Sequence, residues 1–328
     1  MREAARHWLA ALVWGLGLGC IALALGGCAR EPERALRIGT NVWIGSEPLY
    51  LARELGTLDS AAVQLVEYPS ASDVLRAFRN ETIDGMVVSL DELLGLAADG
   101  FDPRIVVVVD VSNGADVVVG RGGMRSMRDL KGKSVAVESS ALGAFVLARA
   151  LAVNGMQASD VNVVHLESNE QSTAFEKGEV DGAVTFDPFR ARFLRAGATT
   201  LFDSTQIPGE IVDLLAVRAS VIERNPKGVA ALLTGWFGAL DYMTKSPADA
   251  ARRMGVRQQT TGEQFLEAQR GLHVPTREEN MKMLGGDAPA LAVTSRKLMN
   301  LMLDAKLLRA PVPIEKVLAP QPLAQLSR

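Results

Sequence analysis

The residues best placed to do chemistry are hydroxyls, carboxylates and one indole, each set just after an apolar run. They fall in the stretches 43–47, 69–72, 89–91, 113–116, 138–141, 168–170 and 186–187. Where such a stretch also opens a helix, its free backbone N–H groups and a capping hydroxyl can hold an anion or a polar atom. Ser70, Ser139 and Ser140 are expected to donate in this way, Trp43 to form an aromatic wall, and Asp187 to hold a polar or amine group from the opposite side. Glu47, Ser89 and Asp116 complete the candidate binding residues. Each has a plainer reading: a Ser after a strand as an N-cap, Asp187 as a cap before Pro188, Trp43 as ordinary core. The same stretches carry Glu47, Asp91, Asp116, Glu138 and Asp187, with no Lys or Arg inside them until Arg121. Burying an anion among carboxylates is costly, which leaves room for a neutral, zwitterionic or amine-bearing ligand.

Catalytic motifs fail on spacing. Gly132-Lys133-Ser134 ends like a phosphate-binding loop, but the required first glycine falls at Met127. Gly120-Arg121-Gly122-Gly123 lacks dinucleotide-binding spacing. His165 and His273 have no metal-ligand spacing, and no Ser-His-Asp arrangement stands out. No catalytic residue, metal or cofactor is therefore expected. A net charge of −3, with no basic stripe carrying interleaved aromatics, gives nucleic-acid binding no support.

The elements that must position these residues alternate. Strand signals begin at Arg37 and recur at 63–68, 83–88, 105–109, 134–137, 161–164 and 180–185. Helix-length segments lie between them at 73–78, 91–98, 141–153 and 188–195. This is the pattern of an α/β fold with largely parallel sheets. Ser89…Glu92, Ser168…Gln171, Ser220…Glu223 and Thr276…Glu279 fit the capping box. Asp187-Pro188 and Ser246-Pro247 place a cap before a first-turn proline. From Pro226 onward strand signals vanish, and the chain reads as helical to about Lys306. An internal repeat points to two similar lobes: 63–66 followed by Ser70 matches 161–164 followed by Ser168. After a one-residue gap, 77–87 matches 174–184.

The first residues read as an export signal. Arg2, Arg6 and His7 precede an uncharged run over 9–25, and Leu25-Gly26-Gly27-Cys28 resembles the bacterial lipobox. Residues 1–27 are the expected signal peptide, Cys28 the lipidated residue, and 28–35 a tether. The other reading is an uncleaved anchor helix. Only one other cysteine exists, Cys20, so the processed chain has no intrachain disulfide.

Three further stretches carry a family resemblance. They are Arg37-Ile38-Gly39-Thr40-Asn41-Val42-Trp43 with 47–56, the run 127–137, and 175–181 followed by Phe186-Asp187-Pro188. Over roughly 36–245 the chain resembles the nitrate/sulfonate/taurine branch of ABC-transporter substrate-binding proteins, which includes binders of thiamine-precursor pyrimidines. The resemblance implies a type II periplasmic-binding-protein fold, two α/β lobes joined by two crossover strands and followed by a helical C-terminal region. Lobe one would comprise 36–118 plus 217–328 and lobe two 119–216, with crossovers at 115–121 and 210–218. It implies a monomeric, non-enzymatic, extracytoplasmic lipoprotein that delivers a sulfonate/nitrate/taurine-like or amine/pyrimidine-like solute to an ABC permease and its ATPase. The alternatives are a lipoprotein presenting its ligand to a membrane sensor, or an enzyme on the same fold. The Cys/His-rich motif of the thiamine-pyrimidine synthases is missing.

Overall fold

A computed structural model of the 328-residue chain describes residues 34–138 and 140–326. Residues 1–33, Ser139 and the last two residues lie outside it, so the signal peptide and Cys28 do as well.

The chain runs β1 (Leu36–Thr40), α1 (Glu47–Glu54), β2 (Val63–Glu67), α2 (Ala71–Arg79), β3 (Gly85–Ser89), α3 (Leu90–Ala98), β4 (Pro103–Ser112) and β5 (Val117–Gly120). It continues through β6 (Ser134–Val137), α4 (Ala141–Val153), β7 (Asn162–His165), α5 (Ser168–Lys177), β8 (Gly182–Thr185), α6 (Phe189–Arg195), β9 (Thr199–Asp203) and β10 (Val212–Arg218). Helices then dominate: α7 (Ala219–Arg224), α8 (Pro226–Lys245), α9 (Pro247–Arg257) and α10 (Gly262–Gln269). After β11 (Leu272–His273) come α11 (Arg277–Leu284), α12 (Ala290–Asp304), α13 (Ile314–Val317) and α14 (Gln321–Gln325).

Two separate sheets result. The first has the order β11-β4-β10-β3-β1-β2 and the second β7-β6-β8-β5-β9. In the first, β1 pairs in parallel with β2 and β3, and β10 runs antiparallel to β3 and β4. In the second, β6 pairs in parallel with β7 and β8, and β5 runs antiparallel to β8 and β9. The two sheets share one topology, which is the structural content of the sequence repeat. Apolar runs without alternation mark strands covered on both faces; accordingly Ile105, Val106, Val107, Val108 and Val109 are all wholly buried. The chain passes from the first sheet to the second between Ser112 and Val117 and returns between Asp203 and Val212. The two passages are tied together: Ser112 and Ser204 hydroxyls lie 2.7 Å apart, and the Ser204 hydroxyl accepts from Gly114 N–H at 2.6 Å.

Several local readings need correction. Helix α5 has Glu167 at its N-cap, so Ser168 is its first residue and not its cap. Ser220 lies inside α7, whose cap position is Arg218. Pro188 precedes α6 instead of opening it, while the Asp187 carboxylate still interacts with the backbone N–H of Ala191 in the first turn of that helix. The C-terminal region contains the short strand β11, held antiparallel on the end of β4, where the sequence offered no strand signal. The boxes at Ser89–Glu92 and Thr276–Glu279 and the Pro247 helix start are present.

Candidate ligand-binding site

The carboxyl ends of β1, β3 and β4 and of β6 and β8 face one cavity of about 40 Å³. Strands end there because their apolar runs give way to polar residues, and the polar residues then start helices or cross between sheets. On the first-sheet side the lining includes Asn41, Trp43, Ser89, Glu92, Asp116 and Asp213. On the second-sheet side it includes Glu138, Ser140, Leu142, Gly143, Ser168, Val184 and Phe186. Asp213 reaches this edge because β10 runs antiparallel: its second residue sits opposite both Ser89 of β3 and Asp110 of β4.

Trp43 closes one wall. Its ring meets Phe186 edge-on, with centroids 5.2 Å apart and planes at 88°. Its indole Nε1 donates to Asp110 Oδ2 at 3.3 Å. Gly45 makes that pair possible, since a Cβ there would fall 2.1 Å from Asp110 Oδ2 and 2.3 Å from Trp43 Nε1.

Electrostatically the cavity is all acid: none of the described lining residues is Lys, Arg or His. Burial pushes the Asp116 carboxyl up to about 6. Burial and mutual repulsion also raise Asp91, Glu92, Asp110 and Asp213 well above the carboxylate range. Asp116 Oδ2 and Glu92 Oε1 are buried without a hydrogen-bond partner. Among the described residues no three His, Cys, Asp or Glu side chains are placed to hold a metal ion.

Glu138 is different. It leaves the end of β6 and spans the cavity, where its Oε1 accepts from the backbone N–H of Ala71 (2.9 Å) and Ser72 (3.2 Å), the first residues of α2. Its Oε2 accepts from the Ser168 hydroxyl at the start of α5. Burial raises its pKa, and these three donors oppose the rise.

The other expected residues are distributed as follows. Trp43, Ser89, Asp116 and Ser140 line the cavity. Ser70 caps α2, its Oγ accepting from Asp73 N–H at 3.2 Å. Glu47 is buried but points away, its two oxygens each 3.1 Å from Arg257 Nε, with Gln258 as a further donor. Asp187 lines a second, larger cleft of about 510 Å³ with Arg190, Arg192, Arg195 and Arg270. Ser139 lies outside the described residues. Ser168 and Phe186 fall in the stretches 168–170 and 186–187 but are not individual candidates there, and Glu92, Asp110 and Asp213 are not anticipated as binding residues. A signal existed for Asp110 and Asp213, each a lone carboxylate ending or opening an apolar run.

A family model described as the NMT1-like family matches residues 29–256. The chain belongs to the NMT1-like family. A putative aliphatic sulfonates-binding protein of Escherichia coli (strain K12) is 28% identical over 226 residues, 66% of this chain and 69% of that protein. The alkanesulfonate-binding protein SsuA from Xanthomonas axonopodis pv. citri, solved bound to MOPS, superposes with a TM-score of 0.72 at 19% identity, covering 87% of this chain and 98% of that one. The desulfurization enzyme DSZB superposes with a TM-score of 0.66 at 16% identity, over 89% and 98% of the two chains. This NMT1-like chain therefore has the two-sheet periplasmic-binding-protein architecture that the resemblance implied, and the resemblance to the nitrate/sulfonate branch is borne out.

Proposed function

We propose that this NMT1-like protein is an extracytoplasmic, non-enzymatic lipoprotein that captures a small solute and delivers it to an ABC permease and its ATPase. The observation that carries the reading is a small cavity at the facing carboxyl edges of two equivalent sheets, in a family whose curated relatives bear the names of binding proteins. The described lining residues include no His, Cys or Lys, and the Ser168 hydroxyl is engaged in holding Glu138, which favours capture over turnover. The two sheets are read as the cores of the two lobes, with the expected boundaries near 118 and 217 moved to the passages 112–117 and 203–212, because β5 pairs in the second sheet and β10 in the first. A cavity of about 40 Å³ admits only a few waters, so a solute enters as the lobes part. The paired passages at Ser112 and Ser204 act as the hinge. Trp43, Ser89, Asp116 and Ser140 are the binding residues retained from the sequence. Cys28 carries the lipid, and the protein works as a monomer.

Thermal unfolding of the full chain in detergent tests this against nitrate, taurine, alkyl sulfonates, pyrimidines, polyamines and amino acids. A solute at 100 times its Kd adds about 2.7 kcal/mol to stability. A saturable rise in Tm with the solute recovered unaltered is the expected result. Solute converted to product would return the chain to the enzyme reading. Mass spectrometry of the N-terminus checks acylation of Cys28.

A further inference from the structure

The sulfonate-binding names of the relatives suggest an anionic ligand, yet the cavity of this chain is built the opposite way. Its charged lining residues are Glu92, Asp116, Glu138 and Asp213, with Asp91 and Asp110 buried directly behind them. The N–H pair at the start of α2, which could hold an anion, is already taken by Glu138. The arginines lie instead in the second cleft, around Asp187. Two carboxylate oxygens at the cavity, Asp116 Oδ2 and Glu92 Oε1, belong to side chains 3% exposed and have no partner. A buried acceptor left unsatisfied is costly, and N–H donors carrying positive charge are what such oxygens lack. The flanking Trp43 and Phe186 rings add faces and edges that favour a cation or a flat heterocycle. Among the described residues no carboxylate trio is placed to chelate a metal, which favours an organic cation.

We propose that the cavity binds a small organic cation bearing N–H groups (an amine, amidinium or guanidinium) through Asp116 and Glu92, with Asp213 behind them, and that it excludes sulfonates and nitrate. This rests on the solute-binding reading above. A bound cation draws Asp116 and Glu92 into their ionised forms, and their oxygens accept its N–H groups. Glu138 stays with the helix starts and keeps those amides from an anion.

Titration calorimetry of the full chain in detergent with guanidinium, putrescine, agmatine and benzamidine, set against ethanesulfonate and nitrate, tests the inference. At least one cation is expected to bind saturably, the two anions not at all. Asp116→Asn and Glu92→Gln, each nearly isosteric, are expected to weaken the cation at least tenfold while leaving the ligand-free Tm unchanged or higher. That Tm response separates a recognition role from a structural one, because a carboxylate needed for folding would lower it. Binding of ethanesulfonate or nitrate overturns the cation assignment and leaves the solute-binding reading standing. Cation binding untouched by both substitutions overturns the site. No binding by any of the six overturns the assignment and counts against the solute-binding reading too.

Discussion

Helices α2 and α5 occupy equivalent places in the two sheets and yet start differently. In α2 the N-cap is Ser70, whose hydroxyl is spent on Asp73 N–H, and the first helical residue is Ala71. In α5 the N-cap is Glu167 and the first helical residue is Ser168, whose hydroxyl donates to Glu138 on the same side of the cavity. The one-residue gap in the repeat is this shift: the alanines at 77 and 174 stand at the same distance from their helix starts, so Ser168 matches Ala71 and not Ser70. Glu138 thus lies between two corresponding positions, taking backbone N–H groups from one and a hydroxyl from the other. A duplicated scaffold has been made asymmetric by moving one hydroxyl a single step along a helix.

The comparison breaks most directly at Glu138. Glu138→Ala removes all three bonds, and with hydrogen bonds to charged groups worth about 1.5–3 kcal/mol each before burial costs, a net loss of about 2–3 kcal/mol is expected in chemical denaturation. Ligand-free small-angle scattering should show a larger radius of gyration as the lobes part; an unchanged radius would deny the bridge any part in closure. Gly45→Ala comes next. Its new methyl must displace the Trp43 indole from Asp110, at a cost of about 1–3 kcal/mol in Tm-derived stability, without a change in radius.

Serine substitutions sharpen the contrast between the two helix starts. Ser168→Ala should cost about 1–2 kcal/mol and lose its effect in a Glu138→Gln background, which a double-mutant cycle would measure as coupling above about 0.5 kcal/mol. Ser70→Ala should cost about 1 kcal/mol as a lost cap and show no such coupling. Equal coupling at both serines would erase the distinction drawn here.

The smallest effect concerns pH. Asp116 has a native pKa of about 6 against an ordinary 3.8, so the folded chain holds its proton where the unfolded chain has lost it. Its contribution to ligand-free stability is full below the ordinary carboxylate range and is lost as pH rises through about 6. Asp91, Glu92, Asp110, Asp213 and Glu138 surround it and shift in the same direction. Ligand-free Tm should therefore fall from pH 5 to pH 8, and Asp213→Asn should flatten that slope. A Tm that rises over this range would contradict the buried-acid description.

Much of the fold was legible in the sequence for identifiable reasons. The uninterrupted valines of β4, the alternation of β2 and the Ser89 capping box are local signals that survive tertiary packing. Trp43, Ser89, Asp116 and Ser140 line the cavity because the strand-end loops that carry them converge there. Asp213 was not legible, since only the antiparallel return of β10 brings it to that edge. The strand β11 was hidden because two residues carry no periodicity and exist only by pairing with β4. Glu47 misled because its partner Arg257 is 210 positions away in the chain.

The Glu138 bridge has a consequence for how such a protein would behave before any solute arrives. A side chain that supplies its own cross-cleft contact lets the shut form be populated while empty. Solute can enter only the open fraction, so with roughly a tenth of molecules open the apparent affinity is about tenfold weaker than the intrinsic one. A membrane partner that senses shape alone would also meet empty shut molecules and spend nucleotide on them. On the proposed function, the strength of this carboxylate contact would contribute both to the threshold for uptake and to the idle rate of the transporter.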